Sequence, residues 1–331
     1  MHKRPQSLWL AVFLSLLIAA FSILSAQTAG TGALAGTVTD ASGAVIPNVT
    51  VTATSIDTGQ VRTGMTEANG SYRFSLLPPG NYKVSFSASG FKSVDVPSVA
   101  IAVTETPVLN RALEVGGQSE QITVSENVET VQTASSALGT VVESKSVTAL
   151  PLTTRNYTNL LGLSAGANAS VPNATGFGRG TMEIAVNGAS TAQNTYLMDG
   201  VSVVNFASSG VDTESGTYAT FGIPNPDTLQ EFKIQTSLYD AGYGRNPGAN
   251  VNVITKSGTN QFHGTAFEFF RNTDLNSNDF FRNRTCGITP ALCAATGGDK
   301  LVLNQNQFGG VIGGPIKKDK LFFFGSYQQT W

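Results

Sequence analysis

Residues able to carry out chemistry are scarce in this sequence of 331 residues. Only two histidines occur, His2 and His263, and only two cysteines, Cys286 and Cys293. A serine–histidine–aspartate triad therefore has one candidate histidine at most, and a tetrahedral zinc site of histidines and cysteines is hard to build. The two cysteines lie close together in the chain, and no cluster of histidines or carboxylates accompanies them. We predict a disulfide between them, no catalytic residue, no metal site and no cofactor.

One carboxylate, Asp199, stands in a distinctive local pattern. It is followed by Gly200, with Tyr-Leu-Met before the pair and Val after it. An Asp-Gly pair between strand-forming residues favours a tight hairpin, because both turn positions require a positive φ. A catalytic carboxylate would need a partner, and none is spaced convincingly. The pattern therefore predicts a structural turn at Asp199-Gly200.

The composition points to a β-rich protein of the cell envelope. Charged residues make up 13% of the chain, about half of the roughly 25% of an ordinary soluble domain. The difference is made up by polar uncharged residues and 35 glycines, and the formal net charge is −2. This balance argues against a helical cytosolic enzyme, and the absence of a basic patch argues against a nucleic-acid partner.

The N-terminus has the pattern of an export signal. Lys3 and Arg4 precede the apolar run 8–21, and the small residues Ser25-Ala26 follow it. The apolar run is shorter than the about 20 residues of a membrane-spanning helix, which favours cleavage over an uncleaved anchor. We predict a signal peptide over residues 1–26.

Residues 31–115 have the pattern of a small β-sandwich. Apolar and polar residues alternate in three short runs, and turn signals such as Asn69-Gly70 separate the runs. Period-two alternation places one set of side chains in a core and the other in water, so we predict about seven strands. The inward-facing residues are expected to be Val49, Val51 and Ala53, then Tyr72, Phe74 and Leu76, then Tyr82, Val84 and Phe86.

The same region resembles the carboxypeptidase regulatory-like domain. The resemblance rests on the runs GTVTD at 36–40, TEANGSYRF at 66–74 and LPPGNY at 77–82. It implies a transthyretin-like, carbohydrate-binding-like fold without catalytic activity.

A linker, residues 116–130, contains a short β-prone run flanked by acidic residues. This run is either one more strand of the next domain or a peptide that pairs with the exposed sheet edge of a partner protein. It consists of Glu120, Gln121, Ile122, Thr123 and Val124.

Residues 131–256 resemble the plug domain of TonB-dependent outer-membrane receptors, an α+β fold. Four elements occur in the order found in that family. They are the Asp199-Gly200 hairpin, a proline-initiated strand within 223–234, the turn Tyr243-Gly244-Arg245, and a final strand ending at Thr255-Lys256. One departure is Asn187-Gly188, which stands where the family usually has Arg-Gly.

Residues 257–331 have the pattern of the first strands of a transmembrane β-barrel. Runs of strand length occur at 261–271, 303–314 and 321–331. A long polar stretch predicted to be irregular, 272–302, separates the first two, and a short charged turn, 315–320, separates the last two. Long outer loops and short periplasmic turns are typical of outer-membrane barrels, although a buried sandwich hairpin would show similar runs. Glycine- and phenylalanine-rich stretches here also resemble the Oar-like subgroup of TonB-dependent receptors.

The resemblance implies a mainly β receptor in the outer membrane, with its N-terminal domains in the periplasm. The expected partners are outer-membrane lipid, a TonB-type protein of the inner membrane that pulls on the segment at 120–124, and an extracellular substrate, with a carbohydrate or a peptide as candidates. Three membrane strands are fewer than the about eight of the smallest barrels, so we expect the chain to be the N-terminal portion of a longer protein.

Two other functions fit parts of the sequence. A surface adhesin or structural envelope protein could keep this architecture without transport. An enzyme could use the sandwich as an accessory module, but its catalytic residues would have to lie beyond Trp331.

Overall fold

The computed structural model describes residues 30–116, 121–123, 138–150, 152, 155–169, 184–204, 224–239, 243–244, 247–278, 280–295, 300 and 302–331. The predicted signal peptide, residues 1–26, lies outside these ranges. Within them, no helix is both long and apolar enough to cross a membrane. The described part is mainly β and consists of a sandwich, a mixed sheet in the middle of the chain and a three-stranded sheet at its C-terminal end.

The sandwich consists of two sheets that face each other across an apolar core. The smaller sheet has the strand order β4-β1-β7, and the larger has the order β3-β2-β5-β6-β8. The strands are β1 (Gly32–Asp40), β2 (Thr50–Ser55), β3 (Val61–Met65), β4 (Ser71–Leu77), β5 (Gly80–Ser87), β6 (Ser93–Ile101), β7 (Arg111–Leu113) and β8 (Gln121–Thr123).

The alternation predicted for the sandwich is confirmed in β2 and β5. Val49, Val51 and Ala53 are fully buried, and so are Val84 and Phe86. The core they form is built from residues between 34 and 113 only, so the sandwich has a core of its own.

The prediction was wrong at one position of β4, because Leu76 is exposed and Leu77 is buried instead. The cause is an irregularity in the pairing of β1 with β4, where the register shifts between Gly32 and Leu34. Leu76 takes a positive φ of 59° at this point, which turns its side chain outward and moves the next residue into the core.

The middle sheet has the strand order β13-β12-β15-β14-β9, and a two-stranded sheet, β10-β11, accompanies it. The short helix α1 (Ser144–Ala149) and the 3-10 helix Tyr157–Leu163 pack against one face, where Tyr157 and Phe232 are fully buried. The strands are β9 (Leu138–Glu143), β10 (Ala167–Ala169), β11 (Ile184–Val186), β12 (Thr195–Met198), β13 (Val201–Ser202), β14 (Leu229–Ser237) and β15 (Asn250–Thr255).

The C-terminal sheet is an antiparallel meander of the three predicted strands, β16 (His263–Arg271), β17 (Gln305–Lys317) and β18 (Leu321–Thr330). The connection between β16 and β17 corrects the prediction of an irregular stretch, because it contains the helices α2 (Phe280–Ile288) and α3 (Pro290–Ala295). A disulfide between Cys286 and Cys293 joins the two helices. Such short helices leave little periodicity for sequence reasoning to detect.

The two faces of the C-terminal sheet have different surroundings. Phe267 and Phe269 contact Arg155 of the middle region, and Phe324, Ser326 and Gln328 line a cavity with residues of that region. Side chains alternate along a β-strand, so the residues between these in sequence point to the opposite face of the sheet. This alternation explains the unbroken aromatic run in β18, since Phe324 lines the cavity with the middle region whereas its neighbour Phe323 contacts Phe262 on the opposite face.

The outward face carries aromatic residues near both ends of its strands. Phe262 and Phe323 are in ring contact at one end, and Phe308 and Trp331 are in contact at the other. Phe323 and Trp331 are eight residues apart in sequence, which is about 27 Å along a strand. This spacing fits the apolar band of about 25 Å, bounded by aromatic girdles, that outer-membrane strands present to lipid.

Candidate functional site

The Asp199-Gly200 turn connects β12 to β13 and is hydrogen-bonded to the end of β15. Both residues have positive φ, 48° and 83°, so the predicted hairpin turn between β12 and β13 is confirmed. The Asp199 carboxylate accepts hydrogen bonds from the backbone N–H and the hydroxyl of Thr255, at 2.9 and 2.8 Å. Two residues that the sequence placed in separate motifs are therefore hydrogen-bonded to each other.

Asn187-Gly188 also forms a turn, with φ values of 51° and 78°. The Asn187 side chain donates from Nδ2 to the carbonyl oxygen of Thr236, at 2.6 Å. This hydrogen bond links the residue after β11 to β14.

The remaining motif residues follow β15 or lie between β14 and β15 in the chain. The Lys256 backbone N–H donates to the Thr228 carbonyl at 2.7 Å, and burial lowers the pKa of its ammonium group, an effect that the nearby Asp227 carboxylate opposes. Tyr243 and Gly244 lie outside helices and strands, and Arg245 falls outside the described residues. Among those residues, no group of three or more histidine, cysteine, aspartate or glutamate side chains could hold a metal ion.

A buried arginine that forms an ion pair within the middle region also contacts the C-terminal sheet. Arg155, which is 7% exposed, pairs with Asp227 and donates to Asn225 Oδ1 at 3.0 Å. Its guanidinium lies 4.4 Å from the ring centre of Phe267 and 4.0 Å from that of Phe269, both on β16. Burial lowers the pKa of Arg155, and Asp227 opposes that shift. The group combines an ion pair with cation–π contacts across the boundary between the two regions.

The sandwich is joined to the middle sheet by three contacts with β14. The backbone N–H of Val103 donates to Glu231 Oε1, and Lys233 Nζ donates to Glu105 Oε1 at 2.9 Å. Gln230 Nε2 donates to the carbonyl oxygen of Pro79, at 2.9 Å. Glu231 and Lys233 are both buried, and burial raises the pKa of Glu231 to about 7.

The sandwich also contacts the turn between β17 and β18. Asn260 donates its backbone N–H to the Asp57 carbonyl at 2.9 Å, while its side chain exchanges two hydrogen bonds of 2.8 Å with Asp319. Asp57 belongs to a turn of the sandwich, and Asp319 to the charged turn predicted from the sequence. The sandwich therefore contacts the C-terminal part of the chain as well as the middle sheet.

Part of the predicted partner-binding segment forms a strand of the sandwich. Gln121, Ile122 and Thr123 make up β8, which pairs in parallel with Ser93, Val94 and Asp95 of β6. Glu120 and Val124 lie outside the described residues. Of the two readings left open by the sequence, a strand of the next domain is not what is observed, because β8 pairs with the preceding one.

Sequence reasoning missed the contacts of Arg155 and of Glu231. Arg155 lies 72 residues from Asp227, and no local sequence pattern indicates that these two residues form a pair. Glu231 and Lys233 sit on a strand that the sequence did predict, but their partners lie in the sandwich, 128 residues away.

Comparison with known proteins agrees with this architecture. Residues 33–114 match the carboxypeptidase regulatory-like domain, and residues 254–331 match an outer membrane beta barrel domain. The two matched regions are the sandwich and the C-terminal sheet. The chain is 28% identical over 317 residues to the TonB-dependent transporter Oar of Myxococcus xanthus, covering 93% of this chain and 27% of that protein.

Parts of the chain are also similar to solved structures. They include the siderophore receptor PirA from Acinetobacter baumannii, with a TM-score of 0.39 and 21% identity over 58% of this chain and 24% of that one. Another is the outer membrane transporter YddB from Escherichia coli, with a TM-score of 0.37 and 21% identity over 53% of this chain and 24% of that one.

The resemblance to Oar-like TonB-dependent receptors, predicted from the sequence, is thus confirmed. The relatives are transporters and receptors rather than enzymes. The location is the outer membrane, with the N-terminal domain in the periplasm. The chain spans about a quarter (27%) of the length of the curated relative it matches.

Proposed function

We propose that this chain is part of a receptor that carries a substrate across the outer membrane using energy delivered by a TonB-type protein. The observation that carries the proposal is the docking of the middle sheet on the C-terminal sheet through Arg155. A folded domain held against the inward-facing side of barrel strands is the arrangement that transport of this class requires.

In this proposal the middle region, residues 131–256, is the plug that closes the barrel. The Asp199–Thr255 and Asn187–Thr236 hydrogen bonds support it, because they tie together the motifs by which the region resembles a plug. The plug must leave or rearrange in each transport cycle.

The segment Glu120–Val124 is the proposed contact for the TonB-type protein. An extended segment pairs with another strand through main-chain hydrogen bonds, and the pairing of β8 with β6 is consistent with a capacity for strand addition. The substrate is proposed to be extracellular, with a carbohydrate or a peptide as candidates. The chain's own residues then bind, block and transmit force, without covalent chemistry.

The proposal is tested in a strain that lacks the gene, with the native gene restored as the control. The expected result is loss of energy-dependent uptake of one class of nutrient, recovered on restoration and abolished by a protonophore. Unchanged uptake of every nutrient tested, together with altered surface attachment, would overturn transport and favour an adhesin.

A further inference from the structure

A polar cavity of about 420 Å³ lies between the middle region and strand β18 of the C-terminal sheet. Its volume is within the roughly 300–1,000 Å³ range of small-molecule sites. None of the described residues that line it is charged, and most of them carry an amide or a hydroxyl group. The middle region contributes Asn225, Thr228 and Thr255, and β18 contributes Phe324, Ser326 and Gln328.

Asn225 lines this cavity with a buried donor group. Its side chain is held in one orientation, because Oδ1 accepts hydrogen bonds from Arg155 Nη2 at 3.0 Å and from the backbone N–H of Asp227 at 3.1 Å. Turning the amide over would place its NH2 group against these two donors. The residue is 6% exposed, and its Nδ2 is buried without a hydrogen-bond partner among the described residues. A buried donor of this kind is costly to leave unpaired, so it favours a ligand that supplies an acceptor.

Gln328 lines the opposite wall with both a donor and an acceptor. Its Nε2 and Oε1 are buried, and neither has a hydrogen-bond partner in the described part of the chain. Thr228 and Thr255 donate their hydroxyl hydrogens to the Asn225 carbonyl oxygen and to Asp199, which leaves their own oxygens able to accept. Donors and acceptors therefore alternate around the cavity. A hydroxyl group both donates and accepts, so a molecule rich in hydroxyl groups satisfies such a set.

We propose that this cavity binds a neutral, hydroxyl-rich molecule of the chemical class of a sugar, held between the middle region and β18. The ring of Phe324 gives the C–H groups of such a molecule an apolar surface beside the amides. An anion finds no cation among the described lining residues, and the charged ends of a free peptide find no counterion there. The inference rests on the proposed function and narrows its two substrate candidates, carbohydrate and peptide, to carbohydrate.

The test measures binding of small molecules to the purified full chain in detergent by saturation-transfer NMR. The neutral probes are glucose, galactose, mannose, maltose and cellobiose. Glucuronate, which is the glucose ring with a carboxylate, and the dipeptide glycylglycine are the charged probes. We expect at least one neutral sugar to bind, and both charged probes to bind at least about tenfold more weakly. Absence of binding by all five sugars, or equal binding of the charged probes, would overturn the proposal.

Two variants locate the bound sugar. Gln328→Met removes the amide with little change in shape and should weaken binding by about tenfold. Asn225→Asp replaces the buried donor with an acceptor, keeps Oδ1 for Arg155, and should weaken binding to a similar extent. Gln329→Met is the matched control with unchanged binding, because Gln329 lies on the opposite face of β18, where it accepts a hydrogen bond from Tyr327.

Thermal unfolding shows whether each variant is folded. Gln328→Met should be at least as stable as the parent chain, since it removes a buried polar group that has no partner among the described residues. Binding at the parent affinity in both cavity variants would overturn the proposal, and so would an equal loss in the Gln329 control.

A failure of the proposed function gives a different result. In that case deletion of the gene leaves uptake unchanged, while the purified chain still binds sugar in this cavity. Energy-dependent uptake without sugar binding by the purified chain would overturn the assignment of the cavity and leave the proposed function standing.

Discussion

Asp199 accepts two hydrogen bonds from Thr255, one from its backbone N–H and one from its hydroxyl, across 56 residues of sequence. The contact fastens the turn after β12 to the end of β15, and the two strands also pair in parallel. Asp199 is therefore a structural clamp at one end of the middle sheet.

Replacing Asp199 with Ala should lower the stability of the middle region by about 1–3 kcal/mol, because both acceptors are lost and alanine tolerates the positive φ poorly. Asp199→Asn should cost less, since asparagine tolerates the same φ and keeps one acceptor. Urea unfolding followed by protease susceptibility of the middle region measures the difference. Equal stability of both variants and the parent chain would contradict the clamp.

Phe74→Ala should destabilise the sandwich by about 3–5 kcal/mol, the usual range for removing a buried aromatic side chain. Phe74 is almost completely buried and packs edge-on against Tyr72. Thermal unfolding of residues 31–115 alone measures the loss, with the exposed neighbour Ser75→Ala as control. We expect that fragment to unfold cooperatively, since its core is self-contained; a transition without cooperativity would disprove independent folding.

Replacing Arg155 with Ala should cost about 3–5 kcal/mol, because it leaves the Asp227 carboxylate buried without its partner. Arg155→Lys should recover only part of this loss, since lysine keeps the charge but not the planar group that stacks on Phe267 and Phe269. Removing both charges, with Arg155→Met and Asp227→Leu, should be less damaging than Arg155→Ala. Thermal unfolding of the full chain compares the three; a double variant as unstable as the single one would argue against an unpaired charge as the cause.

Contact between the sandwich and the middle sheet should weaken as the pH rises through about 7. Burial raises the pKa of Glu231 to about 7, with Glu105 and Glu143 adding to the shift and the Val103 N–H and Lys233 opposing it. Because Glu231 keeps a proton in the docked form that it loses near pH 4.5 in the separated form, its contribution to docking is greatest below pH 4.5 and is lost as the pH passes 7. Hydrogen exchange of the Val103 amide between pH 5 and 8, corrected for intrinsic exchange, should show this trend. Glu231→Gln should remove the dependence, and a persistent trend in that variant would assign it to another group.

Ile122→Pro should abolish transport while leaving the middle region folded. Proline removes a backbone donor from the strand and fixes φ, so it prevents strand pairing. Ile122→Val is the control, because it keeps both the donor and the β-branched shape. Normal uptake by Ile122→Pro and by Thr123→Pro would place the partner segment elsewhere, for example around 128–133, which lies outside the described residues.

Local patterns predicted the strands and turns, and they failed where distant parts of the chain meet. The alternation in β2 and β5 and the Asp199-Gly200 turn depend on neighbouring residues, so the sequence was sufficient for them. The bulge that exposes Leu76 arises from the pairing of β4 with β1, and the burial of Arg155 arises from the approach of β16. Neither has a signature within a window of a few residues. The roles assigned to the 120–124 segment and to Tyr243, Gly244, Arg245 and Lys256 stay predictions.

The disulfide between α2 and α3 indicates the compartment in which the chain folded. Cys286 and Cys293 are the only cysteines in the sequence, and they are bonded to each other. Such bonds form in the periplasm and are rare in the bacterial cytosol. A chain retained in the cytosol would therefore carry two thiols that react with an alkylating reagent, and an exported one would carry none. Mass spectrometry of a cell extract would therefore distinguish exported from retained molecules by the mass that the reagent adds. No fusion or tag would be needed.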